Sequence, residues 1–408
     1  MPAPTLRYTL LARLLATLLS LFAAGAKPQA QPSGDTLSNR PRHGIGCDFS
    51  PAYTIHNDDF FCGHNMEGHH VNSALTWHFK YYYRFAPASR LGRLYPNTYQ
   101  GVGVGFTKFD TGKELGAPVS VYVFQGAPIA RLSRRLTLNY EWNFGASFHW
   151  KKHDFETNPM NDVVGSRINA YINTYFYMEV LPLPNWRLSF GVDLTHFSNG
   201  NTNFPNVGVN TVGVRFGASH TFGDEPAVPS ASSLQPAKPL SLLRRIGCDV
   251  VLYGATRRRG IIIDDEPALL PGSYGIGGIN VNPMYFVNKY FRAGFSLDAK
   301  YDESVNLRKY HVEGTEGEDL QFYRPPFREQ VIAGFSLRAE LTMPIFSVNF
   351  GVGSNFIRKG EETHGLYQIL VLKTFLTPRL FLHIGYQLRD FSDPNNLMLG
   401  MGFRFGKS

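Results

Sequence analysis

Residues 135–150, RLTLNYEWNFGASFHW, alternate without a break. Leu136, Leu138, Tyr140, Trp142, Phe144, Ala146, Phe148 and Trp150 fall on one parity. Thr137, Asn139, Glu141, Asn143, Gly145, Ser147 and His149 fall on the other. Successive side chains of a strand point to opposite faces, so this is a strand with one apolar, aromatic face and one polar face. The strand is long, with aromatic residues near both ends. An apolar outer face with Glu141 on the inner one fits a strand that crosses a membrane in a closed barrel. A secreted sandwich, with the apolar face turned inward against a second sheet, is the rival reading.

The start of the chain favours the barrel. Arg7 and Arg13 precede the apolar run LLATLLSLFAAGA, and Ala24-Gly25-Ala26 supplies small residues for cleavage, so residues 1–26 are expected to be a secretory signal. Beyond it there is no apolar run of about 18 residues, as a spanning helix requires. With 32 Phe and 21 Tyr, aromatic residues are abundant. An exported chain with a net charge of +8 is expected to meet anionic lipid or phosphate groups rather than nucleic acid.

The same phase recurs. In NWRLSFGVDLTHF, Trp186, Leu188, Phe190, Val192 and Leu194 face out, while Arg187, Ser189, Gly191, Asp193 and Thr195 face in. The next strand puts Val212, Val214, Phe216 and Ala218 outward, with Arg215 and Ser219 inward. Arg187, Asp193 and Arg215 are expected to form a polar plug in a narrow barrel. About eight such strands lie between Gly44 and Phe222. Short connections such as LPLPN mark the periplasmic end. Long ones, including HNDDFFCGHNMEGHH, KKHDFETNPMNDVVG and SNGNTNFPNVG, mark the outer end.

The second half resembles a diverged copy of the first. IGCDFSPAYT is echoed by IGCDVVLYGAT, and RLSFGVDLTHFSN by RLFLHIGYQLRDFSDPNN. The expected organisation is an all-β, antiparallel transmembrane β-barrel protein of two homologous halves of about eight strands. Residues 44–222 form the first half, 223–245 a Pro/Ala/Ser-rich linker, and 246–408 the second half. Two tandem small barrels and one fused barrel of about sixteen strands both fit.

One strand end carries chemistry. His196 and Ser198 continue the outward series of Trp186 to Leu194, and Asn210 opens the outward series of the next strand. Residues two apart on a strand point the same way, about 6.5 Å apart, which lets an imidazole reach a hydroxyl. Strands commonly end in polar residues where the membrane ends. This end also assembles a nucleophile, a base, a group able to orient the base, and surplus amide donors.

The segment HFSN, followed by PN and GVN, resembles the active-site segment of the outer-membrane lipid A 3-O-deacylases, whose bacterial relatives are often called acyloxyacyl hydrolases. The resemblance spans residues 44–222. It implies an eight-stranded barrel in the bacterial outer membrane that hydrolyses an ester-linked acyl chain of lipid A, or lipopolysaccharide, in the outer leaflet, without a cofactor or metal. Carried over, Ser198 is the nucleophile and His196 the general base. Asn206, with the backbone amides at Asn199 and Gly200, would form the oxyanion hole. The family's third member is acidic, whereas this chain has Asn210. An amide oxygen can fix the imidazole tautomer, but it brings no charge to the imidazolium.

The second copy has Asp390, Phe391, Ser392 and Asp393 where the first has His196, Phe197, Ser198 and Asn199, so it lacks the base and is expected to be non-catalytic. His56, Cys62, His64, His69 and His70 share one loop without a recognisable zinc spacing. GVGVGF at 101–106 is strand glycine rather than a phosphate loop. RRRG at 257–260 is expected to be a surface charge run. Lys151 and Lys152 are loop charges that could pair with lipid A phosphates. Three cysteines permit one disulfide without choosing it. The competing function is a non-enzymatic barrel, either a channel or a lipopolysaccharide-binding structural protein.

Overall fold

The computed structural model describes residues 40–406 apart from 134, 224–244, 259, 264, 265, 270, 271, 308–310, 313–320, 360–362 and 392. The expected signal, nearly all of the linker, and Ser392 lie outside the described residues.

Two closed barrels of eight antiparallel strands account for the chain. The first comprises β1 (Arg42–Thr54), β2 (Ser73–Arg84), β3 (Tyr99–Phe109), β4 (Gly116–Arg131), β5 (Leu136–Trp150), β6 (Ile168–Leu183), β7 (Trp186–Ser198) and β8 (Val209–Thr221). Each strand pairs with the next, and β8 returns to pair with β1. The second barrel opens with β9 (Ile246–Arg257). A hairpin of β10 (Gly260–Ile263) and β11 (Glu266–Leu269) follows, then β12 (Tyr274–Phe286) and β13 (Phe291–Asp302). A second hairpin, β14 (His311–Val312) and β15 (Gln321–Phe322), precedes β16 (Val331–Thr342), β17 (Phe346–Ile357), β18 (Leu366–Phe375), β19 (Leu380–Arg389) and β20 (Asp393–Phe405). Strand β20 closes onto β9. The fused sixteen-stranded alternative is therefore overturned: each half satisfies its own first and last strand edges, which leaves none to share.

The outward series is exposed, as a lipid-facing surface must be. Trp186, Leu188, Phe190, Val192 and Leu194 are each 45–50% accessible. No helix among the described residues is long and apolar enough to cross a membrane. The short turns are built by local side-chain acceptors. The Ser133 hydroxyl accepts from the amides of Arg135 and Leu136, Asn288 from those of Tyr290 and Phe291, and Thr377 from those of Arg379 and Leu380.

The interiors are filled with charge. In the first barrel Asp48 of β1 pairs with Arg215 of β8 and lies 2.7 Å from Lys80, which also reaches Glu141 at 3.2 Å. In the second, Asp249 of β9 pairs with Arg404 of β20 at 2.8 Å and with Lys373 at 2.7 Å, and Arg292 reaches Glu340 at 2.9 Å. The repeated IGCD segments thus place an aspartate at the centre of each plug, salt-bridged to an arginine of the closing strand.

Several sequence expectations are corrected here. Of Arg187, Asp193 and Arg215, the last two belong to one plug: Asn173 accepts from Arg215 and donates to Asp193, which also accepts from Ser50, while Arg215 pairs with Asp48. Arg187 pairs instead with Glu179 at 2.7 Å. Trp150 is buried rather than outward. His149 adopts φ +67°, which breaks the alternation and turns the indole inward, where Nε1 donates to Ser147 Oγ at 2.8 Å. Arg257 is buried against Asp302 and Ser304, so it is not part of a surface run. Cys47, Cys62 and Cys248 are all free.

Candidate active site

The outer end of the first barrel is closed by an apolar cap in which Phe60, Phe61, Phe109, Leu115, Trp150, Val163, Val164, Tyr171, Phe197 and Val209 are buried together. Phe197 is the link to the chemistry. Its ring lies 5.0 Å from that of Trp150 and 5.5 Å from that of Tyr171, centroid to centroid. With Phe197 anchored inward, strand geometry holds its neighbours His196 and Ser198 on the opposite, outer face. This anchoring was absent from the sequence reading, although the F of HFSN was its signal.

Strand pairing sets the next contact. His196 stands directly across from Asn210 in the β7–β8 register, and Ser198 stands across from Ala170 of β6. All three polar side chains are half-buried. His196 Nε2 lies 2.9 Å from Ser198 Oγ, and His196 Nδ1 lies 2.7 Å from Asn210 Oδ1. An amide oxygen only accepts, so Nδ1 carries the imidazole proton. Nε2 is then left to accept the serine proton.

The β7–β8 connection wraps this pair. Gly208 has φ +78°, and a Cβ there would meet Phe197 O at 2.8 Å and the His196 ring and Ser198 Cβ at 3.4 Å. Only glycine combines that backbone with that approach. Asn199 knits the turn: its carbonyl accepts from Thr202 Oγ1, and its Nδ2 donates to Asn203 O. The β5–β6 loop braces the connection, since Gly208 N donates to Val163 O and a Cβ on Gly165 would strike Pro205 O.

The candidate oxyanion donors fare differently. The Asn199 amide already donates to Asn206 Oδ1 at 2.8 Å. Asn206 Nδ2 donates to Asn201 Oδ1 at 2.9 Å, which leaves its second N–H. Gly200 N has no hydrogen-bond partner among the described residues. Gly200 N–H and the second Asn206 N–H are thus the candidate donors without a partner among the described residues, while Asn199 braces Asn206. The role of Asn201 in that brace carried no sequence signal beyond its amide.

Among the described residues the duplicated segment shows no such relay. Asp390 and Phe391 lie past the end of β19 in left-handed backbone, Asp390 accepts from Leu366 N, and Phe391 is exposed where Phe197 is buried. In the loop holding His56, Cys62, His64, His69 and His70, His56 Nε2 lies 3.1 Å from Val71 O. Among the described residues no three His, Cys, Asp or Glu side chains are gathered for a metal ion. Lys151 donates to Lys113 O, and both it and Lys152 are exposed.

No curated protein matches the sequence. Solved outer-membrane barrels resemble the chain at low identity. Neisserial surface protein A matches at 11% identity and TM-score 0.30, over 44% of this chain and 97% of that one. The siderophore receptor PirA of Pseudomonas aeruginosa matches at 8% and 0.26, over 92% and 82%. Outer membrane phospholipase A of Escherichia coli matches at 8% and 0.16, over 72% and 82%. The family model described as lipid A 3-O-deacylase (PagL) matches residues 62–219, and that described as acyloxyacyl hydrolase, C-terminal domain, matches residues 246–407. By these two matches, one on each barrel, the chain is an outer-membrane β-barrel protein of the lipid A 3-O-deacylase family.

Proposed function

We propose that the protein is a serine esterase that releases an ester-linked acyl chain from lipid A in the outer leaflet. The observation that carries the reading is the Ser198–His196–Asn210 relay, at 2.9 and 2.7 Å, on the lipid-facing side of the first barrel. Ser198 Oγ attacks the ester carbonyl while His196 Nε2 takes its proton. The resulting oxyanion is held by Gly200 N–H and the free Asn206 N–H. The intermediate collapses to an acyl-serine, and His196 returns the proton to the departing sugar oxygen. Water, deprotonated by His196, then attacks the acyl-serine and frees the fatty acid. Asn210 fixes the tautomer in both halves of the cycle and lends no charge.

The location suits this chemistry. The substrate's chains already lie in the leaflet beside Leu194, and the exposed Phe204 and Val207 flank the site at the outer rim. The charged plugs fill both barrels, which argues against the channel alternative. A fluorophosphonate probe tests the nucleophile directly. Labelling of the purified protein should fall on Ser198, should be lost in Ser198→Ala, and should be strongly slowed in His196→Ala. Labelling that persists unchanged in Ser198→Ala would exclude Ser198 as the nucleophile.

A further inference from the structure

Among its described residues the second barrel shows no such relay, yet it touches the candidate active-site turn. Gly200 is buried, and the three atoms nearest to a Cβ built on it are all of Leu397: Cδ1 at 3.1 Å, Cβ at 3.4 Å and Cδ2 at 3.5 Å. Leu397 lies in the outer half of β20, two residues before Leu399 and four before Met401, both exposed. Further contacts bring the barrels together. Lys289 Nζ donates to Leu94 O at 3.0 Å, Tyr95 Oη donates to Lys289 O at 3.3 Å, and the rings of Phe144 and Phe346 lie 6.4 Å apart. Met343, Phe346 and Leu372 of the second barrel pack with Tyr140, Trp142 and Phe144 of the first.

The position of Gly200 makes this contact chemically relevant. Its N–H is one of the two candidate donors without a hydrogen-bond partner among the described residues, so on the esterase reading the ester carbonyl sits beside it, about 3 Å from both donor and nucleophile. A group carried on the acyl chain next to the carbonyl then has Gly200 on one side and Leu397 beyond it. Gly200 has no room even for a methyl group before Leu397 gives way.

Resting on the esterase reading above, we propose that Leu397 of the second barrel is a specificity-determining wall of the acyl site, which selects acyl chains that are slim beside the ester carbonyl. The second barrel thereby helps to choose the substrate without carrying out chemistry. Hydrophobic pockets distinguish single methylenes by about 10- to 200-fold. A wall on one side should act at the low end of that range.

The test uses the full chain in lipid vesicles, with two synthetic glycolipid esters as probes, one with a straight acyl chain and one bearing a methyl branch next to the carbonyl. Binding is measured in the Ser198→Ala background, so that no turnover is needed, and kcat/KM is measured with Ser198 intact. Leu397→Ala should raise the branched-to-straight ratio in both measurements, by about tenfold. Leu397→Trp should lower it. A binding ratio unchanged by both substitutions would overturn the wall, whatever happens to turnover. Equal slowing of both esters would do the same, because it marks Leu397 as a mere brace. If the binding ratio responds but neither ester is cleaved, the wall stands and the esterase reading falls.

Discussion

Asn210 stands across from His196 in the β7–β8 register, and its replacement by Ala and by Asp probes the proposed relay from two sides. Asn210→Ala removes the acceptor 2.7 Å from His196 Nδ1. The net hydrogen bond contributes about 0.5–1.5 kcal/mol, and leaving a half-buried N–H unpaired costs about 1–3 kcal/mol. Turnover should therefore fall about 10- to 100-fold. Asn210→Asp instead supplies charge. Across about 4 Å between charge centres, at an effective dielectric of about 20, a carboxylate stabilises an imidazolium by about 4 kcal/mol. Desolvation of the new carboxylate takes back most of this, so a net gain of about 1 kcal/mol, roughly fivefold in turnover, is expected. Initial rates of fatty acid release from purified lipid A, measured for the parent and both variants, provide the assay. Three equal rates would remove Asn210 from the mechanism and leave a His–Ser dyad.

Phe197→Ala should cost about 3–5 kcal/mol of stability by emptying its place in the cap. It should also lower turnover by releasing the His196–Ser198 geometry; a destabilised barrel with parental kcat would refute the anchoring role. Replacing Asn206 by Leu removes a proposed oxyanion donor and should lower kcat about 10²- to 10³-fold with little change in KM; a pure KM effect would assign Asn206 to binding instead. Arg215→Met leaves Asp48 and Glu141 sharing Lys80 and should destabilise the first barrel by about 3–5 kcal/mol, read as an earlier urea unfolding midpoint. An unchanged midpoint would contradict the plug account. Asp390→Ala, in the duplicated segment, should leave deacylation at the parental rate, and a loss comparable to that of His196→Ala would relocate the site.

The strands of β5 and β7 were legible because one face meets lipid and the other meets a crowded polar interior, so a period of two is imposed at nearly every position. The cross-strand meeting of His196 and Asn210 followed from the same phase. Long-range closure was not legible. Whether β8 pairs with β1 or with β9 leaves the local alternation unchanged, so two small barrels and one large barrel looked alike. The phase break at His149 was hidden because a left-handed non-glycine residue is held there by tertiary packing, including the indole bond of Trp150 to Ser147. Arg257 read as surface because a run of arginines suggests solvent, whereas Asp302 and Ser304 draw it inside. The use of the Asn199 amide depended on the loop conformation that brings up Asn206, which local pattern does not encode.

The central claim is that Ser198 cleaves an acyl ester of lipid A at the membrane face. Mass spectrometry of lipid A from cells producing the parent protein, or Ser198→Ala at equal outer-membrane abundance, tests it most directly. The account predicts that the parent yields lipid A lighter by one acyl chain, while Ser198→Ala leaves lipid A intact. The same loss of mass in both strains, or in neither, would contradict it.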